Sequence, residues 1–285
     1  MSRPSWVGVT ATYVRAYGAA PGPDENEPVL SGDSIDVSIV VPAFNEERRL
    51  GRTVNVLIEY FRGRSLRFEV ILVDDGSRDS TLDLMRGFAA ANAAVKVVSL
   101  ASNRGKGRAT AAGVMITRGA IVLTTDADLS TPIDEFDKLL AQLAGGADIA
   151  IASRAAAASV IAVGQPSYRV MMGRAFNRIV QLLLLPGIKD TQCGFKLYQG
   201  PIARELFGSS RIDGFAFDVE ILVLAVRLRY RVCEVAVRWE NSPDSRVSPV
   251  RHSLEMLRDV LRLRLSLARI RREPEPALIG VDQGA

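Results

Sequence analysis

The chain has 285 residues, 48% of them apolar, which allows one sizeable core and is too apolar for a disordered chain. Lys and Arg number 36 against 32 Asp and Glu, an excess too small to imply nucleic acid. His252 is the single histidine, so His-rich zinc sites are excluded and a Ser-His-Asp triad is disfavoured; the two cysteines, Cys193 and Cys233, make no disulfide framework and suit a reducing cytosol.

Residues 1–34 are rich in Gly, Pro and small side chains and are predicted to form a mobile arm. Nothing there reads as a signal peptide, and the densest apolar run, Ile179–Leu185, stops at Pro186-Gly187, well short of the ~20 residues needed to span a bilayer. A soluble or peripheral protein is expected. The body begins with a strand at Asp36–Val41, then Pro42-Ala43-Phe44-Asn45-Glu46-Glu47, where Asn45 can cap a helix running to about Phe61. A second strand, Phe68–Val73, ends in Asp74-Asp75-Gly76-Ser77, and Asp79 or Ser80 caps the next helix. Val95–Leu100 is a third strand; Asn103-Arg104-Gly105-Lys106-Gly107 then opens a small-residue helix without Walker A spacing, which rules out a P-loop. Ile121–Thr125, a helix from Thr131-Pro132, and the strand Asp148–Ala152, closing at Ser153-Arg154, complete the alternation.

That alternation predicts an α/β fold, a mostly parallel central sheet with helices on both faces. Ligands bind such sheets outside the carboxyl ends of the strands. Asn45, Glu46, Asp74, Asp75, Asp126, Asp128 and Arg154 all fall in loops at that edge. Asp126 and Asp128 end a buried strand two residues apart, so a turn there can converge both carboxylates on one hard cation, Mg²⁺ or Mn²⁺, shared with a substrate diphosphate. Each of these motifs also has an ordinary structural reading as a turn, a cap or a surface ion pair.

Beyond Arg154 the pattern changes. Ala155–Gln165 is predicted as a flexible loop, Tyr168–Leu185 as an amphipathic helix bearing Arg169, and Asp190–Tyr198 as a turn and strand. Phe215–Leu228 is predicted helical, Arg231–Trp239 a strand, Ser253–Arg272 a basic leucine-rich helix and 273–285 a tail. The chain therefore divides into an arm (1–34), a main domain (35–250), a basic C-terminal amphipathic helix (251–272) and the tail. Asp218 and Glu220 differ by two on a helix and do not share a face; Asp218 is favoured to face the site. Lys106 is expected either in a solvated turn or against phosphate.

In order, Val-Pro-Ala-Phe-Asn-Glu-Glu, Val-Asp-Asp-Gly-Ser, Asn-Arg-Gly-Lys-Gly and Asp-Ala-Asp resemble the family 2 glycosyltransferases of GT-A fold. Ser153-Arg154, Asp190-Thr-Gln-Cys-Gly-Phe-Lys-Leu-Tyr198, Phe217-Asp-Val-Glu-Ile-Leu222 and Val237-Arg-Trp239 are similar to the dolichyl-phosphate β-glucosyltransferases and, less closely, the mannose synthases. The resemblance implies inverting, metal-dependent transfer of a hexose from a nucleotide sugar, UDP-glucose above others, to a polyprenyl phosphate. Carried over, Pro42, Ala43, Phe44, Asn45, Glu46, Asp74 and Asp75 hold the nucleotide, and Asp126 and Asp128 reach the metal and diphosphate. Arg154 and Arg169 match positions that hold the acceptor phosphate in the mannose synthases. Two departures follow: the eukaryotic glucosyltransferases carry an N-terminal membrane anchor not found here, and Ser130 stands where the mannose synthases can place a Gln, leaving the third metal ligand open.

The acceptor's lipid tail implies a peripheral enzyme at the cytoplasmic face of a membrane, and the basic helices can lie in the interface. A homo-oligomer is left open. GDP-mannose or a UDP-N-acetylhexosamine is the alternative donor; a nucleotidyltransferase and a non-catalytic nucleotide-sugar-binding module are the alternatives of other classes.

Overall fold

Runs of β-branched residues buried on both faces form the strands that carry the site. A computed structural model of the chain describes residues 34–163, 167–240 and 249–270, so the arm (save Ser34) and the tail lie outside the described residues. The five predicted strands are present as β1 (Val37–Ala43), β2 (Phe68–Asp74), β3 (Val95–Ser99), β4 (Ile121–Thr124) and β5 (Ile149–Ser153). They are followed by β6 (Val160–Val163), β7 (Lys196–Gln199), β8 (Val232–Ala236) and β9 (Arg238–Glu240). The helices are α1 (Leu50–Arg62), α2 (Thr81–Ala91), α3 (Lys106–Met115), α4 (Phe136–Ala144), α5 (Ser167–Leu183), α6 (Gly200–Ser209), α7 (Phe217–Arg227) and α8 (Pro249–Ile270).

Seven strands form one sheet in the order β3-β2-β1-β4-β7-β5-β8. All neighbours are parallel except β7, which runs antiparallel to both β4 and β5. Alternation along each strand feeds two apolar layers. Ile39, Leu72 and Leu123 face α1, α2 and α4 through Leu57, Met85 and Phe136. Val40, Val73 and Val122 face α3, α6 and α7 through Val114, Leu206 and Val219, with Phe176 of α5 and Val260 of α8 in the same layer. Thus α8 is not polar all round: it buries Val260 while Leu254, Leu261 and Leu265 stay exposed.

Three expectations are corrected. The segment predicted as a flexible loop, Ala155–Gln165, contains β6, because β9 pairs with it in parallel. Arg231–Trp239 is two strands: β8 joins the main sheet, and the chain then leaves at Val237 to make the small β6–β9 ladder. Asn45 does not cap α1, which starts five residues later; it sits at φ 56°, and its side-chain oxygen accepts from Arg78 N–H at 2.8 Å. The structure adds a helix the sequence analysis does not name, α6, with Pro201 in its first turn.

The antiparallel β7 matters most for the site. Its first residue, Lys196, pairs in register with Thr124 and Ile151. The turn before it, Cys193–Phe195, therefore arrives at the same edge as the carboxyl ends of β4 and β5. On the other side of β1 and β2, helix α3 approaches closely at Gly113, where an added Cβ would stand 2.5 Å from Val40 Cγ1 and 2.7 Å from Val73 Cγ2. Alanine favours helix over glycine by about 1 kcal/mol, whereas overpacking a rigid core costs about 1–3 kcal/mol, so the clash wins. We expect Gly113→Ala to lower the unfolding free energy by about 1–2 kcal/mol in urea titrations; an unchanged or raised midpoint contradicts this packing.

Candidate active site

Three loops at the carboxyl edge are tied to one another. Asp75 N–H donates to the Ala43 carbonyl at 2.9 Å, Asn45 N–H to Ser77 Oγ at 2.9 Å, and Glu46 N–H to Thr81 Oγ1 at 2.7 Å. The Asp75 carboxylate accepts from the N–H groups of Arg104 (2.7 Å) and Gly105 (2.9 Å), which fixes the third loop against the second. Gly107 and Arg108 N–H both donate to the Asp213 carbonyl, so the amides opening α3 are already spent inside the protein. This agrees with the exclusion of a phosphate-cradling P-loop.

These loops enclose a cavity of about 480 Å³. Of the residues singled out from sequence, Pro42, Ala43, Phe44, Asn45, Glu46, Asp75, Lys106, Asp126 and Asp128 line it. Arg49, Asn103 and Phe215 line it as well and were not anticipated. Arg49 follows the Asn45-Glu46 motif by one helical turn, ion-pairs with Glu46, and stands 3.9 Å from Asp128.

The turn after β4 carries the acids. Leu129 N–H reaches the Asp126 carbonyl at 3.2 Å, and Leu129 takes φ 46°, closing a tight turn. Thr53 Oγ1 of α1 donates to the Ala127 carbonyl at 2.6 Å, and Glu240 N–H of β9 donates to the Ser130 carbonyl at 2.8 Å. Beneath the turn, an added Cβ at residue 194 would stand 2.5 Å from both Asp126 carboxylate oxygens, so any side chain there would displace the carboxylate. Lys106 Nζ lies 2.6 Å from Asp126 Oδ1. Burial pushes the Asp126 carboxyl up, but Lys106, Lys196 and Arg154 together hold it below its ordinary range. Asp128 goes the other way: burial and the charge of Asp126 raise it, against Ser130 N–H and Arg49. Two hard oxygen donors that repel each other at the mouth of a cavity suit a divalent cation. Among the described residues no third His, Cys, Asp or Glu joins them as a cluster, so a cation here would share its remaining positions with ligand oxygens or water.

Asp74, Arg154 and Asp218 are not among the residues that line the cavity. Asp74 is buried and serves its own turn, accepting from Ser77 N–H at 3.1 Å. Arg154, at the end of β5, forms a two-pronged pair with Asp190 through Nε (2.7 Å) and Nη2 (2.8 Å), with its own N–H at 2.9 Å. Its guanidinium also stands 5.7 Å from the centre of the Trp239 ring. Its charge is among those that hold the Asp126 carboxyl down, although Arg154 does not itself line the cavity. The expectation that Asp218 faces the cavity is corrected: its carboxylate is buried and paired with Lys196. Glu220 is also buried, and accepts from Arg211 N–H (2.9 Å) and Ile212 N–H (2.8 Å). Arg169 falls in α5, and its side chain lies outside the described residues.

Residues 38–207 match the family described as Glycosyl transferase family 2. The chain belongs to that family. This glycosyltransferase is 38% identical over 240 residues to a dolichyl-phosphate beta-glucosyltransferase of Drosophila melanogaster, across 80% of this chain and 74% of the relative. It is 34% identical over 242 residues to the human protein of the same name, across 80% and 75%. Among solved structures it superposes on mannosyl-3-phosphoglycerate synthase from Rubrobacter xylanophilus with TM-score 0.65 at 21% identity, over 94% of this chain and 81% of that one. Glucosyl-3-phosphoglycerate synthase from Mycobacterium tuberculosis, crystallised with Mn²⁺ and UDP-glucose, gives TM-score 0.63 at 18% identity, over 93% and 85%. At those identities the likeness is one of fold, and the fold is GT-A. Among the described residues no helix is long and apolar enough to cross a membrane.

The Arg154–Asp190 pair gives this family 2 glycosyltransferase an acid-sensitive joint. Burial pushes the Asp190 carboxyl up, but the charge and hydrogen bonds of Arg154 outweigh it and hold it down at about 2. A depressed folded value means stability present above about pH 4 and lost as the pH falls toward about 2. We expect Asp190→Asn to be less stable than wild type by about 2 kcal/mol or more at neutral pH, with the gap closing between about pH 4 and 2 in urea titrations; a gap independent of pH contradicts the pairing.

Proposed function

We propose that this glycosyltransferase moves a hexose, glucose from UDP-glucose, onto a polyprenyl phosphate with inversion, giving a β-linked polyprenyl phosphosugar. One observation carries the reading: Asp75, Lys106, Asp126 and Asp128 line a single cavity in a chain whose relatives bear the name dolichyl-phosphate beta-glucosyltransferase. A volume of about 480 Å³ suits a ligand of nucleotide-sugar size.

In this reading the nucleoside lies along Pro42–Glu46 and Asp75, with the diphosphate turned toward Lys106, Asp126 and Asp128. Asp126 and Asp128 would hold a divalent cation, which would offset the charge that builds on the departing nucleoside diphosphate. Lys106 supplies a second positive charge on the same side. The acceptor phosphate is already an anion near neutral pH, so the protein has to position it and screen its charge, with no strong base required. Arg154 is suited to that: Asp190 fixes two of its nitrogens, and a planar guanidinium presents its remaining edge to phosphate oxygens. An acceptor oxygen entering from the Arg154 side attacks the anomeric carbon opposite the leaving diphosphate. The new C–O bond forms as the old one breaks, which inverts that centre.

The acceptor's tail places the reaction at a lipid surface. Exposed Met171 and Leu182 of α5, and Leu254, Leu261 and Leu265 of α8, supply apolar contact, beside the exposed Arg258 and Arg262. Co-sedimentation with anionic vesicles that weakens as salt rises supports this arrangement; no binding at low salt removes it.

The deciding experiment incubates purified protein with radiolabelled UDP-glucose, Mg²⁺ or Mn²⁺, and a short polyprenyl phosphate. Label extracted into organic solvent, abolished by a chelator, is the expected result. Release of pyrophosphate points instead to nucleotidyl transfer, donor binding without product to a binding module, and preference for GDP-mannose or a UDP-N-acetylhexosamine to another donor. Asp128→Asn is expected to lower transfer by about 100-fold or more while leaving the thermal midpoint within a few degrees, because the lost charge acts on the leaving group; wild-type rates in that variant remove the cation from the account.

A further inference from the structure

Lys196 and Asp218 are an ion pair with almost nothing exposed: 1% and 7% of their side chains. Lys196 Nζ also donates to the Cys193 carbonyl at 2.6 Å. Neither side chain lines the cavity. A buried pair is often no more stabilising than the apolar side chains that could replace it, so its presence calls for another reason.

The reason lies in what else carries charge nearby. Lys106 binds Asp126 from the cavity side, and its Nζ stands 5.9 Å from the ring centre of Phe217, the residue before Asp218. The negative charges that act on Lys106 are those of Asp126, then Asp218, then Asp128. Lys106 therefore answers to two anions, Asp126, which lines the cavity, and Asp218, which does not. Lys196 pairs with the second. It reaches that point only because β7 runs antiparallel and begins at this edge.

We propose that Lys196 is a positioning residue for the donor site: by holding Asp218, it leaves Lys106 committed to Asp126 and to the nucleoside diphosphate. Without the Lys196 charge, the buried Asp218 carboxylate competes for Lys106, which is then drawn away from Asp126. Lys196 touches no substrate; it acts through which anion Lys106 serves. The inference rests on the donor-site reading above.

The test is titration calorimetry of the full chain with UDP or GDP in the presence of Mn²⁺, together with steady-state kinetics. Wild type is expected to bind one of these nucleotides. Lys196→Met is expected to weaken that binding by about tenfold or more, with the loss in donor KM and little in kcat. Lys196→Met combined with Asp218→Leu removes both charges and is expected to recover affinity to within about threefold of wild type. Lys196→Gln keeps a hydrogen-bond donor without the charge and carries the same comparison where the methionine variant does not fold. Single variants that bind like wild type, or a double variant that recovers nothing, overturn the proposal; the second result would make Lys196 a structural support only. A wild-type protein that binds neither nucleotide overturns the donor-site reading, and this inference with it.

Discussion

A carboxylate pressed against a glycine is the fixed point of this molecule. Asp126 rests on the backbone at Gly194, with no room for a side chain between them. That contact brings together two segments nearly seventy residues apart, the end of a parallel strand and the turn into an antiparallel one. It also helps decide where the Asp126 charge stands relative to Lys106 and Lys196, both of which act on it. A shift of one or two ångströms in the Cys193–Phe195 turn would reorganise all three groups, because charges in a partly dry site interact strongly over such distances.

Around that point the charges alternate. Asp190 holds Arg154, Lys106 holds Asp126, and Lys196 holds Asp218. Each acid that could compete for a cation has a partner of its own, except that Asp128 has only a long contact to Arg49 and a backbone N–H from Ser130. The Asp128 carboxyl, pushed above its ordinary range by burial and by the charge of Asp126, lines the cavity. In the proposed reading, a cation and its diphosphate would supply the positive charge that this corner lacks. Pre-set charge of this kind lowers the reorganisation needed when a leaving group takes up negative charge.

Much of this could be read from the sequence, because it is local. Buried β-branched runs that stop at Asn45-Glu46, Asp74-Asp75 and Asp126–Asp128 announce parallel strands with their acids at one rim, and the order of the motifs carried the family resemblance. Lys106, beside two glycines, was visible for the same reason. What could not be read depends on pairing between distant segments. The direction of β7, the small β6–β9 ladder and the Arg154–Asp190 pair have no local signature. Asn45 misled because Asn is a good cap, whereas here Ser77 and Arg78 from the next loop hold it in a left-handed turn. Asp218 misled because its helix shows two acids and the periodicity does not say which faces the cavity; the deciding group, Lys196, lies on another strand.

The most direct test of the central claim is a crystal structure of the protein with Mn²⁺ and UDP-glucose, with the metal located by anomalous scattering. We expect one manganese peak bridging the Asp126–Asp128 turn and the diphosphate, with the nucleoside along Pro42–Glu46 and Lys106 beside a phosphate oxygen. A metal bound elsewhere, or a nucleotide seated outside this cavity, would contradict the account.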